Sequence, residues 1–322
     1  MRKSLYNKTA GVLILSFIFG VSLSGQDRNE LINVYNAGAK AAQTNVDSAI
    51  IAFENVVSMS EKIGESANDI KQKTVQVLPG LYLKSASAKY SSKKPDADVI
   101  TAAKKAVASA DKYGNTSVKE NATKLLAQAY NRMAGEYFKN KDYEKALTSF
   151  DSVLAINPDN AAVIYNKALI YRTQGNSDAL EQTVDLYLTK IPAGDAKAAQ
   201  ASKMALEYFR AAGSKANQAN QLDEALANLN KAAKYGEDKD LYYYFADVYN
   251  KQKDFDKGLE AAQKGLALET GSADAKAKFY FQQGLAQEGK GQTADACESF
   301  KNAMFGAFAE PSKAKRTNMK CQ

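Results

Sequence analysis

The sequence feature that most restricts the fold is a pattern of aromatic and small residues that returns along the chain. In residues 127–160 it consists of Tyr130, Met133, Ala134, Tyr137, Ala146, Phe150 and Pro158. The unit that starts 34 residues later contains Tyr165, Ala168, Tyr171, Gly175, Leu180 and Pro192, with Leu180 in place of a small residue. Self-similarity at this period indicates stacked helical hairpins, in which small residues let two helices approach closely and aromatic residues fill the space to the next hairpin.

A turn sequence also returns. Lys141-Asp142-Tyr143-Glu144 has a counterpart 112 residues later in Lys253-Asp254-Phe255-Asp256. The pattern resembles that of the tetratricopeptide repeat, written W-x2-L-G-x2-Y, then A-x3-F, then P. The resemblance implies an all-α, right-handed superhelical solenoid of about seven helix hairpins with a C-terminal capping helix.

The resemblance and the helical periodicity together divide the chain into four parts. Residues 1–25 form a predicted signal peptide, 26–116 irregular hairpins, 117–310 the array that matches the family, and 311–322 a capping helix with a tail. In the N-terminal hairpins we predict a turn at residues 44–46 and a break between helices at 91–95.

The N-terminus has the layout of a secretory signal. Arg2, Lys3 and Lys8 precede an uncharged stretch from residue 9 to 26 that ends in small residues, so cleavage near Gln26 is predicted, and an uncleaved anchor is the alternative. No cysteine follows the stretch to carry a lipid. The signal and the resemblance to exported repeat proteins of Gram-negative bacteria together favour the periplasm, with a eukaryotic secreted protein as the alternative.

Composition argues against several classes of function. Residues 1–25 carry three basic and no acidic residues, so the formal charge falls from +7 to +4 on cleavage, which is too mild to indicate nucleic-acid binding. The chain has no histidine and no phosphate-binding glycine motif, so we expect no catalytic residues, no cofactor and no metal site. The acidic pairs Asp96/Asp98 and Asp254/Asp256 lie at predicted hairpin turns or helix starts, where acidic residues are common, so a catalytic or cation-binding role is not expected of them.

Cys297 and Cys321 are the only cysteines. If the last two helices form an antiparallel hairpin, both lie about equally far from its turn, which favours a disulfide in an exported protein. The alternative is a small buried residue at Cys297 and a free thiol on a frayed tail at Cys321.

The family resemblance implies that the first helices of successive hairpins line a groove for a partner. Helical projection places these predicted contact residues in it: Asn131, Phe138, Tyr165, Leu169, Arg172, Arg210, Tyr243, Asp247, Asn250 and Phe281. We interpret the chain as a scaffold for another envelope protein or peptide, without enzyme activity. The alternative is a module for a small molecule or glycan, which a deep pocket lined by Tyr243, Tyr244 and Phe281 would favour.

Overall fold

The computed structural model describes residues 20–192 and 194–322, and within these ranges the regular structure is entirely helical. Most of the predicted signal peptide, residues 1–19, lies outside the described residues. The helices form two compact units, the first ending at Pro158 and the second spanning Asp159–Gln322. The predicted all-α array of hairpins is confirmed. The right-handed superhelical course and the domain boundary at residue 117 stay predictions.

The first unit contains three hairpins among its described residues. Their helices are α1 (Gly20–Thr44), α2 (Val46–Ile63), α3 (Asn68–Ser91), α4 (Asp96–Lys112), α5 (Thr116–Lys139) and α6 (Tyr143–Ile156). The predicted turn at 44–46 is confirmed, because Asn45 accepts a hydrogen bond from the Ser48 backbone N–H and caps α2. The predicted break at 91–95 separates α3 from α4.

The second unit contains four hairpins and a closing helix. These are α7 (Ala161–Gln174), α8 (Ser177–Lys190), α9 (Ala196–Gln218), α10 (Leu222–Tyr235), α11 (Lys239–Lys251), α12 (Phe255–Leu268), α13 (Ala273–Gly289), α14 (Thr293–Asn302) and α15 (Ala309–Asn318). The closing helix begins two residues before the predicted Pro311, because proline is tolerated in the first turn of a helix.

The repeated turn sequence has a physical basis. Lys141 and Lys253 adopt the left-handed backbone conformation, with φ of 60° and 63°. The aspartate that follows each of them caps the next helix: Asp142 accepts from the backbone N–H of Lys145, and Asp254 from that of Lys257. The same Lys-Asp pair therefore closes two hairpins in the same way.

The packing of each unit separates first helices from second helices. Small buried residues hold each hairpin together, such as Ala134 and Ala146 in α5 and α6. First helices of neighbouring hairpins also contact one another, α3 with α5, α9 with α11 and α11 with α13, whereas successive second helices make few contacts. The first helices therefore lie on the inner side of each unit and the second helices on the outer side.

The closing helix packs against the last hairpin. Lys315 forms an ion pair with Glu288 of α13 at 2.5 Å, and the Arg316 guanidinium donates to the Cys297 carbonyl in α14 and to the Gln322 carbonyl. Cys297 and Cys321 meet in disulfide geometry, with their Cα atoms 5.6 Å apart. Among the described residues, no helix is both long enough and apolar enough to cross a membrane.

Candidate protein-binding surface

In the first unit, the predicted contact residues lie on an exposed stripe of α5. The stripe, which we call the α5 stripe, consists of Gln128, Asn131, Gly135 and Phe138. All four are exposed, and the Phe138 ring retains 37% of its surface while its centre lies 6.0 Å from that of Tyr143. The stripe therefore presents two amides and an aromatic ring on one face of a first helix.

In the second unit, two of the three predicted contact residues of α7 pack against neighbouring side chains and the third is exposed. The Tyr165 ring lies 5.2 Å from the ring of Tyr187, and Leu169 packs at the edge of the core. Arg172 is exposed and has no ion-pair partner among the described residues. Of the three, Arg172 is the side chain most available to another molecule.

On α9, α11 and α13, charged residues join one helix to the next. Arg210 of α9 pairs with Asp238, which caps α11 by accepting from the Leu241 backbone N–H at 2.7 Å. Asp240 pairs with Lys278 of α13 at 2.6 Å. The predicted contact residue Arg210 therefore links two first helices.

Further along the same helices, Asp247 of α11 is held from both sides. The Asn217 amide of α9 donates to one carboxylate oxygen at 2.6 Å, and the Gln282 amide of α13 donates to the other at 3.2 Å. The Asn250 amide donates to the Gln282 carbonyl at 2.9 Å. The predicted residues Asp247 and Asn250 are therefore used in joining helices.

On the inner side of the second unit, ion pairs and burial shift the pKa values of several side chains. Burial raises the pKa of the Asp240 carboxyl, but the hydrogen bond and charge of Lys278 outweigh it and hold the pKa below its ordinary value. A hydrogen bond from Lys239, together with the Gly271 backbone N–H, likewise lowers the pKa of Glu269. Burial is the main cause that raises the pKa of Tyr243. In the described part of the chain, no group of three or more acidic or cysteine side chains is placed to hold a metal ion.

The aromatic residues of the small-molecule alternative are separated in the structure. The Tyr243 ring packs on Tyr244 at 5.3 Å and on Phe279 at 6.2 Å, and the Lys278 ammonium lies 5.3 Å from its centre. Phe281 instead packs against Phe300 and Phe308 beside the closing helix. Tyr243 and Phe281 thus belong to different clusters, which removes the specific support for that alternative.

The α5 stripe belongs to the unit that carries the recurring sequence pattern. The family model described as "Tetratricopeptide repeat" matches residues 127–160, which contain most of α5 and all of α6. Residues 127–160 are therefore a tetratricopeptide repeat. No curated protein sequence matches it.

Solved structures similar to this chain include two that are described as tetratricopeptide repeat proteins. The MamA protein is 21% identical, with 61% of this chain and 96% of that chain covered and a TM-score of 0.34. YrrB, described as a TPR protein with an unusual peptide-binding site, is 18% identical over 58% of this chain and 92% of its own, with a TM-score of 0.35. A tetratricopeptide repeat protein from Parabacteroides merdae ATCC 43184 is 17% identical over 92% of this chain and all of its own, with a TM-score of 0.29. Similarity at this level does not indicate what this chain binds.

Two features of the structure are absent from the site predicted from the sequence. One is the role of Lys278 and Gln282, which lie four residues apart on α13 and face α11. A spacing of four residues predicts that both side chains lie on one face of the helix, but it does not identify the residues that they contact. The other is a cavity of about 530 Å³ on the outer side of the first unit, between α2 and α4. In the sequence, the small residues Ala108 and Ser109 on α4 are the feature that could have indicated open space beside this helix.

Proposed function

We propose that this protein is a non-catalytic scaffold that holds another protein or peptide against the inner faces of its first helices. The observation that carries the proposal is the α5 stripe, which is exposed along its whole length on the first helix of the matched repeat. An exposed ring such as Phe138 supplies contact area, and flanking amides such as Asn131 supply hydrogen bonds that set the register of a bound segment.

The ion pairs and amide contacts of α9, α11 and α13 support the same proposal in another way. They fix the spacing of neighbouring first helices, so the inner face of the second unit presents a preorganised surface that needs little ordering on binding. Arg172 on α7 adds an unpaired cation to that unit, which suits an acidic group on the partner.

We further propose that the scaffold works in the bacterial envelope, in the periplasm, and that its partner is an envelope protein or peptide. The support is the basic and then apolar N-terminal sequence with small residues before Gln26. N-terminal sequencing of the protein recovered from the periplasmic fraction tests this: a mature start near Gln26 is expected. An intact Met1 on protein in the cytoplasmic fraction would contradict it.

Site-specific photo-crosslinking tests the binding surface. A photoreactive phenylalanine analogue replaces Asn131, Phe138 or Arg172 in the full chain, and the control position is Thr148, which is exposed on the second helix α6. We expect one discrete crosslinked protein from the inner positions and none from Thr148. Equal crosslinking at Thr148, or none at the three inner positions, would remove the proposed binding surface.

A further inference from the structure

The first unit has an elongated groove on its outer side, opposite to the inner faces discussed above. Its walls are α2 and α4 and its floor is α3. Two cavities of about 530 and 350 Å³ follow it and share Glu54, Tyr82 and Lys105. We call this feature the outer groove. Because every successive helix reverses direction, α2 and α4 run in parallel, with the start of one wall opposite the start of the other.

The outer groove is open because its side chains are small. The α4 wall carries Ala102, Ala108 and Ser109 along the two cavities. In the second unit, the corresponding space between α10 and α12 has large aromatic residues on its floor, Tyr242, Phe245 and Tyr249, and its cavity measures only about 180 Å³. The first unit therefore leaves open a space that aromatic rings fill in the second.

Over the length of the larger cavity, the two walls of the outer groove carry opposite charges. In the smaller cavity, the acidic Asp98 also lies on the α4 wall. Glu54 and Glu61 lie on α2 and Lys105 and Lys112 on α4, seven residues apart in each helix. That spacing is two helical turns, about 10.5 Å. Because the walls are parallel, Glu54 lies opposite Lys105 in the shared part of the groove.

Three of these four charged side chains already have a partner within the chain. Glu61 pairs with Lys71 at 3.4 Å, and Glu54 accepts a hydrogen bond from the Tyr82 hydroxyl. Lys112 lies over the Tyr113 ring at 5.2 Å. Lys105, in contrast, has no ion-pair partner within the described ranges.

The α4 wall also contains an unsatisfied hydroxyl. Ser109 is only 8% exposed, and its Oγ has no hydrogen-bond partner among the described residues. It lies four residues after Lys105, which places both on one face of α4 and in the lining of the same cavity. Buried hydroxyls are normally hydrogen-bonded, so Ser109 is a buried polar atom without a partner in the groove wall. The exposed Lys105 ammonium beside it is the group that can receive a carboxylate from another molecule.

The deep part of the groove is apolar, whereas the rest of its lining includes Ser58, Ser85, Thr101 and the ion pair between Asp47 and Lys89. Val57 and Leu78 form its deep part, and Ile51 stands at its edge with 61% of its surface exposed. The α2 wall extends from Asp47 to Glu61, about 21 Å, which equals the length of a helix of about 14 residues.

We propose that the outer groove binds an amphipathic helix of a partner protein, with its apolar stripe on α3, its acidic edge against α4 and its basic edge against α2. The acidic edge supplies the acceptor for Lys105, and the basic edge faces Glu54 and Glu61. This surface is separate from the α5 stripe, so the chain has two places for partners and either function can fail without the other.

Selection from a displayed library of random peptides of about 14 residues tests the proposal, since that length matches the α2 wall. The bait is the purified full chain. We expect enriched peptides with an apolar stripe, acidic residues along one edge and basic residues along the other. Failure to enrich any peptide above the level obtained with the groove-filling variant Ala108→Trp would overturn the proposal. Ala108 is exposed, so this variant is expected to fold.

Matched variants then locate the bound peptide. Ala108→Trp and Lys105→Glu are expected to weaken binding of an enriched peptide by about tenfold or more, and a peptide whose acidic edge is changed to lysine should restore binding to Lys105→Glu. The controls are Ala97→Trp and Lys104→Glu, which lie on α4 outside the groove lining and should leave affinity unchanged. Equal loss in the control variants would contradict the assignment. So would a change in oligomeric state caused by Ala108→Trp, because it would show that the groove holds a second copy of this chain.

Discussion

Arg132 on α5 reaches back to Asp96 at the start of α4 and holds its buried carboxylate. The Arg132 Nε donates to Asp96 Oδ1 at 2.7 Å, and the guanidinium lies 4.3 Å from the centre of the Tyr90 ring. The Asp96 side chain is only 5% exposed. The hydrogen bond from Arg132 to Asp96 raises the pKa of the guanidinium above its ordinary value. Asp96 is therefore a structural anchor between two hairpins, in addition to its predicted place at a helix start.

Removal of this arginine should destabilise the first unit. Arg132→Met leaves a buried carboxylate without its partner, and we expect the free energy of unfolding to fall by about 2–3 kcal/mol. Urea denaturation at neutral pH measures the change. The control is Lys145→Met, which removes an ion pair with Asp142 that is largely exposed and should change the free energy of unfolding far less than Arg132→Met does. Equal losses in the two variants would show that burial of Asp96 does not matter.

Two helical glycines should respond in opposite directions to alanine. A Cβ on Gly213 of α9 would lie 2.7 Å from Leu229 Cγ and 3.1 Å from the Ala225 carbonyl oxygen in α10. Overpacking of this kind lowers the free energy of unfolding by about 1–3 kcal/mol. At Gly135 a Cβ meets open space, so Gly135→Ala should stabilise the chain by about 0.5–1 kcal/mol through helix propensity. Thermal denaturation of both variants checks the pair, and a stabilising Gly213→Ala would contradict the close approach of α9 and α10.

The closing helix should depend on the cysteine pair. Cys297 and Cys321 are 24 residues apart, and closing a loop of this size stabilises the folded chain by about 3 kcal/mol in the chain-entropy estimate. We expect Cys297→Ser/Cys321→Ser to unfold at lower temperature, with faster hydrogen exchange in α15. Reductant should lower the melting temperature of the wild type and leave the double variant unchanged. Alkylation of both thiols in the unreduced protein would show instead that the bridge is not formed.

Acid should weaken the contact between α11 and the turn after α12. Lys239 pairs with Glu269 at 2.8 Å, and this hydrogen bond is the main cause that holds the Glu269 pKa below its ordinary value of 4.5. A lowered folded-state pKa gives stability that is complete above the unfolded value and is lost as pH falls through the folded value. We therefore expect Glu269→Gln to be less stable than wild type at pH 7, with the difference shrinking below pH 4.5. Urea titrations from neutral to acid pH test this, and a difference that does not change with pH would contradict it.

The helices and their order follow from local sequence. The recurring aromatic and small residues predict the hairpins. The predicted turn at residues 44–46 is also local, because Asn45 caps the helix that follows it. The two Lys-Asp turns are likewise local, since each aspartate caps the helix that follows it within three residues. Caps and periodicity involve contacts between near neighbours in the chain, so one sequence is sufficient to predict them.

Only the tertiary structure decides whether each candidate contact residue is exposed or packed against another hairpin. Helical projection gives the face of Arg210, Asn250 and Phe281, but it does not give the distance to a side chain on the next hairpin, about thirty residues away in the chain. The outer groove is a further case, because its size depends on how far apart α2 and α4 are held and on the bulk of α3 between them. Periodicity thus determined which residues share a helix face, whereas packing between distant segments decided which of those faces are filled and which remain open.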